Sequence, residues 1–275
     1  MNNLIKTDLK RIFKDKLFLI ICIIGGVFAF VTPVLLRLIF GTIGELDDEL
    51  LGMLAVNSKT LFIQSFNPAS NFGMVLPILV AIILCKDFSH GTVRNKIICG
   101  KTRTEIFFSM FIASTIIMCG IVLVHALLTL GVSLIFFNYQ QTPFTLNDLG
   151  YILLSVLFEL LIYVCLSAFV CFLSVFMKNV GLVIVSYVAV LLVMSLIDAI
   201  FMVALPALEF YEENKLLTDF LTILSKCNIF STAMPIGTGT SYNLKDLCCI
   251  LIPTLFGSAL WITLGIVLFK KKNLK

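Results

Sequence analysis

Residues 17–40 read LFLIICIIGGVFAFVTPVLLRLIF, an apolar run whose only charged residue is Arg37. A helix needs about 20 apolar residues to cross the hydrocarbon core of a bilayer, which is roughly 30 Å thick. Hydrocarbon offers the backbone amides no hydrogen-bonding partner, so a run that crosses it is helical. Because no small-x-small cleavage site follows the run, we predict an uncleaved first transmembrane helix.

The composition of the whole chain places most of it in lipid. The 275 residues are 60% hydrophobic and 13% charged, and their mean hydropathy is +1.08. A water-soluble domain carries more charge, which excludes a soluble enzyme or nucleotide-binding domain. The sequence therefore predicts an all-α integral membrane protein with six transmembrane helices. The predicted spans are 17–40, 70–86, 105–137, 149–177, 181–208 and 247–269.

The distribution of basic residues predicts how the spans are oriented. Of the 20 lysines and arginines, 15 fall in segments on the same side as the N-terminus, and five fall on the other side. Basic residues are retained in the cytosol, so we expect a multi-pass plasma-membrane protein with both termini cytosolic. The net charge of +4 then reflects topology and anionic membrane lipid, and no nucleic-acid partner is expected.

Residues 1–16 are too charged to cross a membrane. Their apolar residues recur at helical spacing opposite lysines, which predicts an amphipathic helix along the inner membrane surface; a frayed basic tail is the alternative. The apolar residues are Ile5, Leu9, Ile12 and Phe13, and the lysines are Lys6, Lys10 and Lys14. The chain is thus predicted to consist of this interfacial helix and a single six-helix transmembrane domain over 17–275.

Residues 99–105 read CGKTRTE and contain Gly-Lys-Thr, the end of a phosphate-binding loop. That loop requires another glycine five residues before Gly100, between a strand and a helix, but Asn95 stands there and its surroundings indicate helix. Gly100 is instead suited to end a short helix over 88–99. Thr102 and Glu105 fit a capping box at the start of the next long helix. We therefore predict a connection between two helices rather than a nucleotide site.

The loop between the second and third spans reads KDFSHGTVRNKIICGKTRTEIFFSM over residues 86–110. Its composition alone fits equally an anchor at the membrane interface, shaped by the retention of basic residues in the cytosol. The loop contains, in this order, an acidic residue, Gly-Thr, a run of basic and amide residues, an apolar pair, a glycine, an arginine and a serine. These are Asp87, Gly91-Thr92, Arg94-Asn95-Lys96, Ile97-Ile98, Gly100, Arg103 and Ser109. The pattern resembles the first cytoplasmic loop of exporter-type (type 2) ABC transporter permeases, the small six-span subunits found in bacterial antibiotic and peptide export or immunity. Met110 stands where the family has lysine.

The resemblance implies a function and a set of partners. The loop would be a coupling helix that docks on a cytosolic ABC ATPase, with two ATPase subunits and two permeases, identical or related, in one complex. The chain would be a non-catalytic subunit without a cofactor of its own, since ATP and Mg²⁺ bind to the ATPase. The cargo would be a hydrophobic or amphipathic peptide antibiotic, lipid-like molecule or drug. The residues predicted for docking are Asp87, His90, Gly91, Thr92, Arg94, Lys96, Lys101 and Arg103.

Three ionisable residues lie inside predicted spans: His125, Glu159 and Asp198. Counting along the helices puts all three at a similar depth, roughly 15–18 Å from the outer ends. They are interpreted either as a polar layer serving a substrate cavity or proton-sensitive gate, or as a structural His125–Glu159 contact with Asp198 near the interface. The alternative function is an ion-gradient-driven secondary transporter that uses Glu159 and Asp198.

The sequence gives no sign of a catalytic or metal site. The nine cysteines include no Cys-x-x-Cys pair, and neither His-Glu-x-x-His nor Gly-x-Ser-x-Gly occurs. We therefore predict no catalytic residue and no metal ligand in this chain.

Overall fold

A computed structural model describes residues 1–42, 57–68, 71–139, 144–177, 179–211, 220–222, 224, 225, 228, 236 and 244–272 of the chain. Within these ranges the regular structure is α-helical. In chain order the helices are α1 (Asn2–Lys14), α2 (Lys16–Thr42), α3 (Ser58–Gln64), α4 (Asn71–Ser89), α5 (Thr92–Ile98), α6 (Arg103–Phe136), α7 (Leu146–Met177), α8 (Val180–Tyr211) and α9 (Leu244–Lys271).

Six of these helices, α2, α4, α6, α7, α8 and α9, are long and apolar enough to cross a membrane. The prediction of an all-α protein with six membrane-length helices is therefore confirmed within the described residues. Each predicted span matches one helix, and the observed ends lie within three residues of the predicted ones. The helix expected over 88–99 is shorter, because α4 continues to Ser89 and a turn at Gly91 separates it from α5.

α7 lies at the centre of the bundle. It packs against α4, α6, α8 and α9, and its side chains Phe158, Ile162 and Val170 are buried. α2 packs mainly against α6. The outer helices α2, α8 and α9 leave most of their apolar side chains exposed or half-buried. Such surfaces suit lipid, because hydrocarbon solvates an apolar helix about as well as another helix does.

Small and polar side chains join the central helices. Thr115 of α6 and Ser167 of α7 share a hydrogen bond of 2.5 Å. The Nδ1 atom of His125 lies 2.9 Å from the carbonyl oxygen of Gly25, which links α6 to α2. In a membrane such bonds and close backbone packing hold helices together, since lipid provides little hydrophobic driving force between them.

One end of the bundle carries α1, α5 and the last turn of α9, and we call it the basic end. It is defined by Arg11, Lys86, Lys96, Arg103 and Lys272, which form contacts between these helices and their neighbours. The predicted docking residues all belong to this end.

At the opposite end, the short helix α3 is fastened across α6 and α7. The Ser58 hydroxyl donates a hydrogen bond of 3.0 Å to the carbonyl oxygen of Phe137, just after α6. The Nζ atom of Lys59 lies 2.6 Å from the Asp148 carboxylate in the first turn of α7. These bonds hold the two central helices together at the end far from α5.

Candidate functional site

The loop between the second and third spans folds into a short helix between two glycines. α5 follows Gly91, whose φ is 68°, and precedes Gly100, whose φ is 80°. Both values lie in the left-handed region, which glycine enters without the steric penalty of a Cβ atom. Gly100 therefore follows the end of the helix as predicted, and the chain turns sharply on both sides of α5.

The start of α6 has the predicted capping box. The Thr102 hydroxyl accepts a hydrogen bond from the Glu105 amide, and the Glu105 carboxylate accepts one of 3.0 Å from the Thr102 amide. These two bonds satisfy amides that have no partner within the helix. Gly100 and Thr102 thus connect two helices, an arrangement unlike the strand and helix that flank a phosphate-binding loop.

One side of α5 and its flanking turns is exposed. Ile98 is 74% exposed although it is apolar. Basic and amide side chains surround it in sequence and are exposed as well. The residues that we call the α5 surface are His90, Arg94, Asn95, Ile98 and Lys101.

The other side of α5 is fixed to α1 through a buried carboxylate. Asp8 is 1% exposed, and its Oδ1 atom lies 2.6 Å from Nζ of Lys96. Its Oδ2 atom accepts a hydrogen bond of 2.6 Å from the Ser109 hydroxyl of α6. A buried carboxylate is stable only where donors replace its water, and these two donors do so. Asp8 therefore joins α1, α5 and α6.

Two further ion pairs fix α1 and Asp15, the residue that follows it, to α4. The buried Asp87 carboxylate pairs with Arg11, and Nζ of Lys86 lies 3.1 Å from both oxygens of Asp15. Burial alone raises the pKa of Asp15, but hydrogen bonds from the Leu17 amide and Lys86 outweigh it and hold this pKa below its ordinary value. A lowered pKa means that the stabilisation by Asp15 is complete above its ordinary pKa and is lost only as the pH falls below it. The pair is intact at neutral pH.

Arg103 binds the end of the last helix. Its Nη1 atom donates to the carbonyl oxygens of Phe269 and Lys270 at 2.8 Å and of Lys272 at 2.6 Å. These carbonyls have no partner within the helix, and a cation beside them interacts favourably with the helix dipole. Lys272 in turn donates to the carbonyl oxygen of Phe176 at the end of α7. The start of α6 is thereby tied to the ends of α9 and α7.

We expect Arg103→Ala to lower the free energy of unfolding by about 1–2 kcal/mol, because three helix-end carbonyls lose their common donor. Lys101→Ala is the matched control, since it removes an exposed cation two residues away. The measurement is the melting temperature of the purified protein in mild detergent. Equal melting temperatures for the two variants would contradict this role of Arg103.

The eight residues predicted for docking divide into two groups in the structure. One group forms contacts inside the chain and consists of Asp87, Lys96 and Arg103. The other group lies on or beside the exposed side of α5 and consists of His90, Gly91, Thr92, Arg94 and Lys101. A partner that meets the α5 surface would therefore touch the second group, while the first group joins α5 and its flanking helices to the rest of the bundle.

The N-terminal helix forms over Asn2–Lys14, and its buried face contains a residue that sequence reasoning missed. Ile12 is buried against the bundle, whereas Phe13 is 55% exposed and packs edge to face on Phe18. Asp8 was not predicted as a site residue. The sequence does contain an indication of its role. Asp8 lies four residues before Ile12, so helical spacing places its carboxylate within the apolar stripe of α1.

The three predicted intramembrane residues have different surroundings. His125 contacts the carbonyl oxygen of Gly25, and Asp198 accepts a hydrogen bond of 2.6 Å from the Asn228 amide. Neither carboxylate oxygen of Glu159 has a hydrogen-bond partner among the described residues. The structural His125–Glu159 contact, one of the two alternatives, is therefore not formed.

Glu159 is fully buried in α7. The hydroxyls of Tyr163, one turn further along α7, and of Tyr187 on α8 are buried as well. Among the described residues these hydroxyls, like the Glu159 carboxylate, have no hydrogen-bond partner. Buried polar groups without partners are unfavourable, and an ionisable one inside a membrane helix is usually functional. Glu159 is therefore the strongest functional candidate within the membrane-length helices.

His125 lies in the wall of two cavities. One, of about 280 Å³, lies between α2 and α6 and is lined by Cys22 and Ile117. The other, of about 340 Å³, lies nearer α3 and is lined by the polar residues Gln64 and Thr129. His125 and its contact with α2 thus separate an apolar cavity from a more polar one.

No protein-family model matches the chain, and no curated protein sequence matches it. Within the described ranges, no three His, Cys, Asp or Glu side chains are placed to hold a metal ion. The six membrane-length helices, the α5 surface and the buried polar groups therefore carry the functional conclusion.

Proposed function

We propose that the chain is the transmembrane permease subunit of an exporter-type ABC transporter, powered by a separate ATPase. The observation that carries this proposal is α5 itself. It joins two candidate spans, is held from within by the Lys96–Asp8 pair, and presents the exposed α5 surface on its other side. In this proposal α5 is the coupling helix on which the ATPase docks.

In this proposal the basic end faces the cytosol, in agreement with the retention of basic residues there. α1 then lies at the inner surface of the bacterial plasma membrane, where its exposed Lys6 and Lys10 meet anionic headgroups. Both termini are cytosolic. The ATPase, a soluble protein, reaches the α5 surface from the same side.

Movement of α5 would reach several helices at once. α4 and α6 continue directly from its two ends, and the Lys96–Asp8 pair connects it to α1. Arg103, at the start of α6, connects the same region to α9. A change in the ATPase dimer on nucleotide binding would therefore displace a linked set of helices rather than a single loop.

One chain supplies one α5 surface, so we propose a complex of two permeases, identical or related, with two ATPase subunits. ATP and Mg²⁺ bind to the ATPase, and this chain hydrolyses nothing. The cargo is hydrophobic or amphipathic: a peptide antibiotic, a lipid-like molecule or a drug. The apolar cavities and the exposed apolar surfaces of α2, α8 and α9 support such cargo, since it reaches them from lipid.

We expect Arg94→Glu to reduce the ATPase that co-purifies with the tagged chain to about a tenth of the wild-type amount. Arg94 is exposed on α5, and reversing a charge in a docking surface places like charges opposite each other. The measurement is mass spectrometry of proteins recovered with the chain from its native membrane in mild detergent.

Lys10→Glu is the matched control, because it makes the same charge change at an exposed position of α1, outside the α5 surface. The control should recover the wild-type amount of ATPase, and both variants should insert normally. Wild-type recovery with Arg94→Glu would exclude docking through the α5 surface.

A second candidate, an ion-gradient-driven secondary transporter, is favoured by the unpartnered Glu159 carboxylate. In that case the purified chain alone, reconstituted into vesicles, would move protons along an imposed pH gradient, and Glu159→Gln would stop this. An ABC permease without its ATPase would not do so. A dye that reports the pH inside the vesicles distinguishes the two functions.

A further inference from the structure

A cavity of about 330 Å³ lies between α7, α8 and α9, away from His125 and from the α5 surface. Its walls are formed by Phe169, Met194, Phe201, Asn228 and Trp261. Its size is at the lower end of the range for small-molecule sites. An apolar site of this kind usually fixes its ligand through a few polar groups, and this cavity has one polar corner.

The polar corner is formed by Asn228, which lines the cavity and is hydrogen-bonded to the Asp198 carboxylate beside it. Asn228 is 6% exposed, and its Nδ2 atom donates to Asp198 at 2.6 Å and to the carbonyl oxygen of Met194 at 3.1 Å. Ile197, which precedes Asp198, lines the cavity. The ion pairs of the described residues do not include Asp198. A carboxylate inside a membrane helix is stabilised by a cation, so this corner favours a positively charged ligand group.

Part of the cavity wall is aromatic. Trp261, the single tryptophan of the chain, lies near the middle of α9, with its ring centroid 4.8 Å from that of Phe169 and 5.1 Å from that of Phe172. Tryptophan in membrane helices is usually concentrated at the two interfaces, where its N–H meets water, so the position of Trp261 near the middle of its helix is unusual. The faces of aromatic rings attract cations and pack well against apolar groups.

We propose that this cavity binds an amphipathic organic cation, with its protonated amine at Asp198 and its apolar part against Trp261 and Phe169. Charge complementarity selects the amine, and the aromatic wall selects the apolar body. As a statement about cargo this inference rests on the transport function proposed above, whereas the binding itself requires no ATPase.

Trp261 makes the cavity observable, because all tryptophan emission of the chain comes from it. The purified full-length chain in nanodiscs of zwitterionic phospholipid is titrated with dodecylamine and with dodecanol, compared at equal concentrations in the bilayer. We expect a saturable change in emission, with the amine binding about tenfold more tightly than the alcohol. Asp198→Asn should remove this difference, and Trp261→Phe should remove the signal.

Glu209→Gln is the matched control, since it neutralises an acidic residue nearer the end of the same helix and should keep the preference for the amine. Equal affinity of the wild-type chain for amine and alcohol would overturn the inference and indicate a cavity for apolar chains only. The absence of a saturable signal would also overturn the inference, and so would a preference for the amine that persists in Asp198→Asn. Comparing the two ligands on the wild-type chain does not depend on any variant folding. Because the titration contains no ATPase, a negative result would contradict only the cation site. A negative result with Arg94→Glu would contradict only docking through the α5 surface.

Discussion

Gly73→Ala is expected to lower the free energy of unfolding by roughly 3 kcal/mol, at the upper end of the usual range for an added methyl group in a packed core. A Cβ atom at Gly73 would overlap the carbonyl oxygen of Asn67 and would lie 2.8 Å from the Tyr163 hydroxyl oxygen. The first clash is with backbone, which cannot rotate away as a side chain can. The measurement is the fraction of protein that stays monodisperse in mild detergent after heating, compared across a temperature series.

Gly131→Ala is the matched control for this experiment. Gly131 lies on α6, and a Cβ atom there would meet nothing within 4 Å. Alanine is also the better helix former, so this variant should be as stable as the wild type or slightly more stable. Adding Tyr163→Phe to Gly73→Ala should restore only part of the loss, because the Asn67 carbonyl remains. If Gly73→Ala and Gly131→Ala unfold together, α4 and Asn67 are not in close contact.

The spans could be predicted closely because one dominant force determines them. An apolar run that is long enough to cross hydrocarbon has a single low-energy structure, and its ends are marked by charge. The run at 105–137 became α6 over Arg103–Phe136. The predicted ends are shifted slightly because helices continue through polar residues such as Lys86 and Ser89, whose side chains reach water while their backbones stay helical.

The boundary between α5 and α6 could also be predicted, because its chemistry is local. Gly100 takes the left-handed conformation, and Thr102 and Glu105 cap each other within four residues of chain. No distant part of the protein has to be known for either feature. The nucleotide interpretation of Gly-Lys-Thr fails on equally local grounds, because Asn95 stands where a phosphate-binding loop needs glycine.

The inner contacts of α5 could not be predicted in the same way. Lys96 meets Asp8 and Arg11 meets Asp87, and these partners are separated by 88 and 76 residues in the chain. Helical spacing shows which residues share a face of α1, but it does not show which helix that face meets. Buried ion-pair partners and the solvent-exposed residues of the α5 surface therefore look alike in the sequence.

The surroundings of the intramembrane residues could likewise be predicted only in part, because the sequence indicates their depth along each helix but not the direction in which they point. His125, Glu159 and Asp198 were counted to a similar depth, yet His125 faces α2 and Asp198 faces Asn228. The missing quantity is the rotation of each helix about its axis. That rotation is set by packing of Leu, Ile, Phe and Val side chains, which repeat too uniformly here to indicate a preferred face.

Glu159→Leu is expected to raise the free energy of unfolding by about 2 kcal/mol and to abolish turnover. The wild-type carboxylate is fully buried, and neither of its oxygens has a partner among the described residues. Replacing an unpartnered buried polar group by an apolar one of similar size removes its desolvation penalty. Turnover is measured as ATP hydrolysis by the complex with the proposed ATPase in nanodiscs, and stability is measured as the melting temperature of the same preparation.

Opposite effects on stability and turnover would identify Glu159 as functional, because a residue kept at a cost to stability is retained for another reason. Tyr187→Phe is the control: it also removes an unpartnered buried polar group, and it should stabilise the protein while leaving turnover intact. A Glu159→Leu protein that melts below the wild type would show instead that the carboxylate has a structural partner. A more stable variant with normal turnover would show that α7 merely tolerates the carboxylate and that no gate depends on it. Glu159→Gln separates charge from shape, since it keeps two polar atoms but cannot ionise; loss of turnover in this variant as well would assign the role to the proton-binding carboxylate itself.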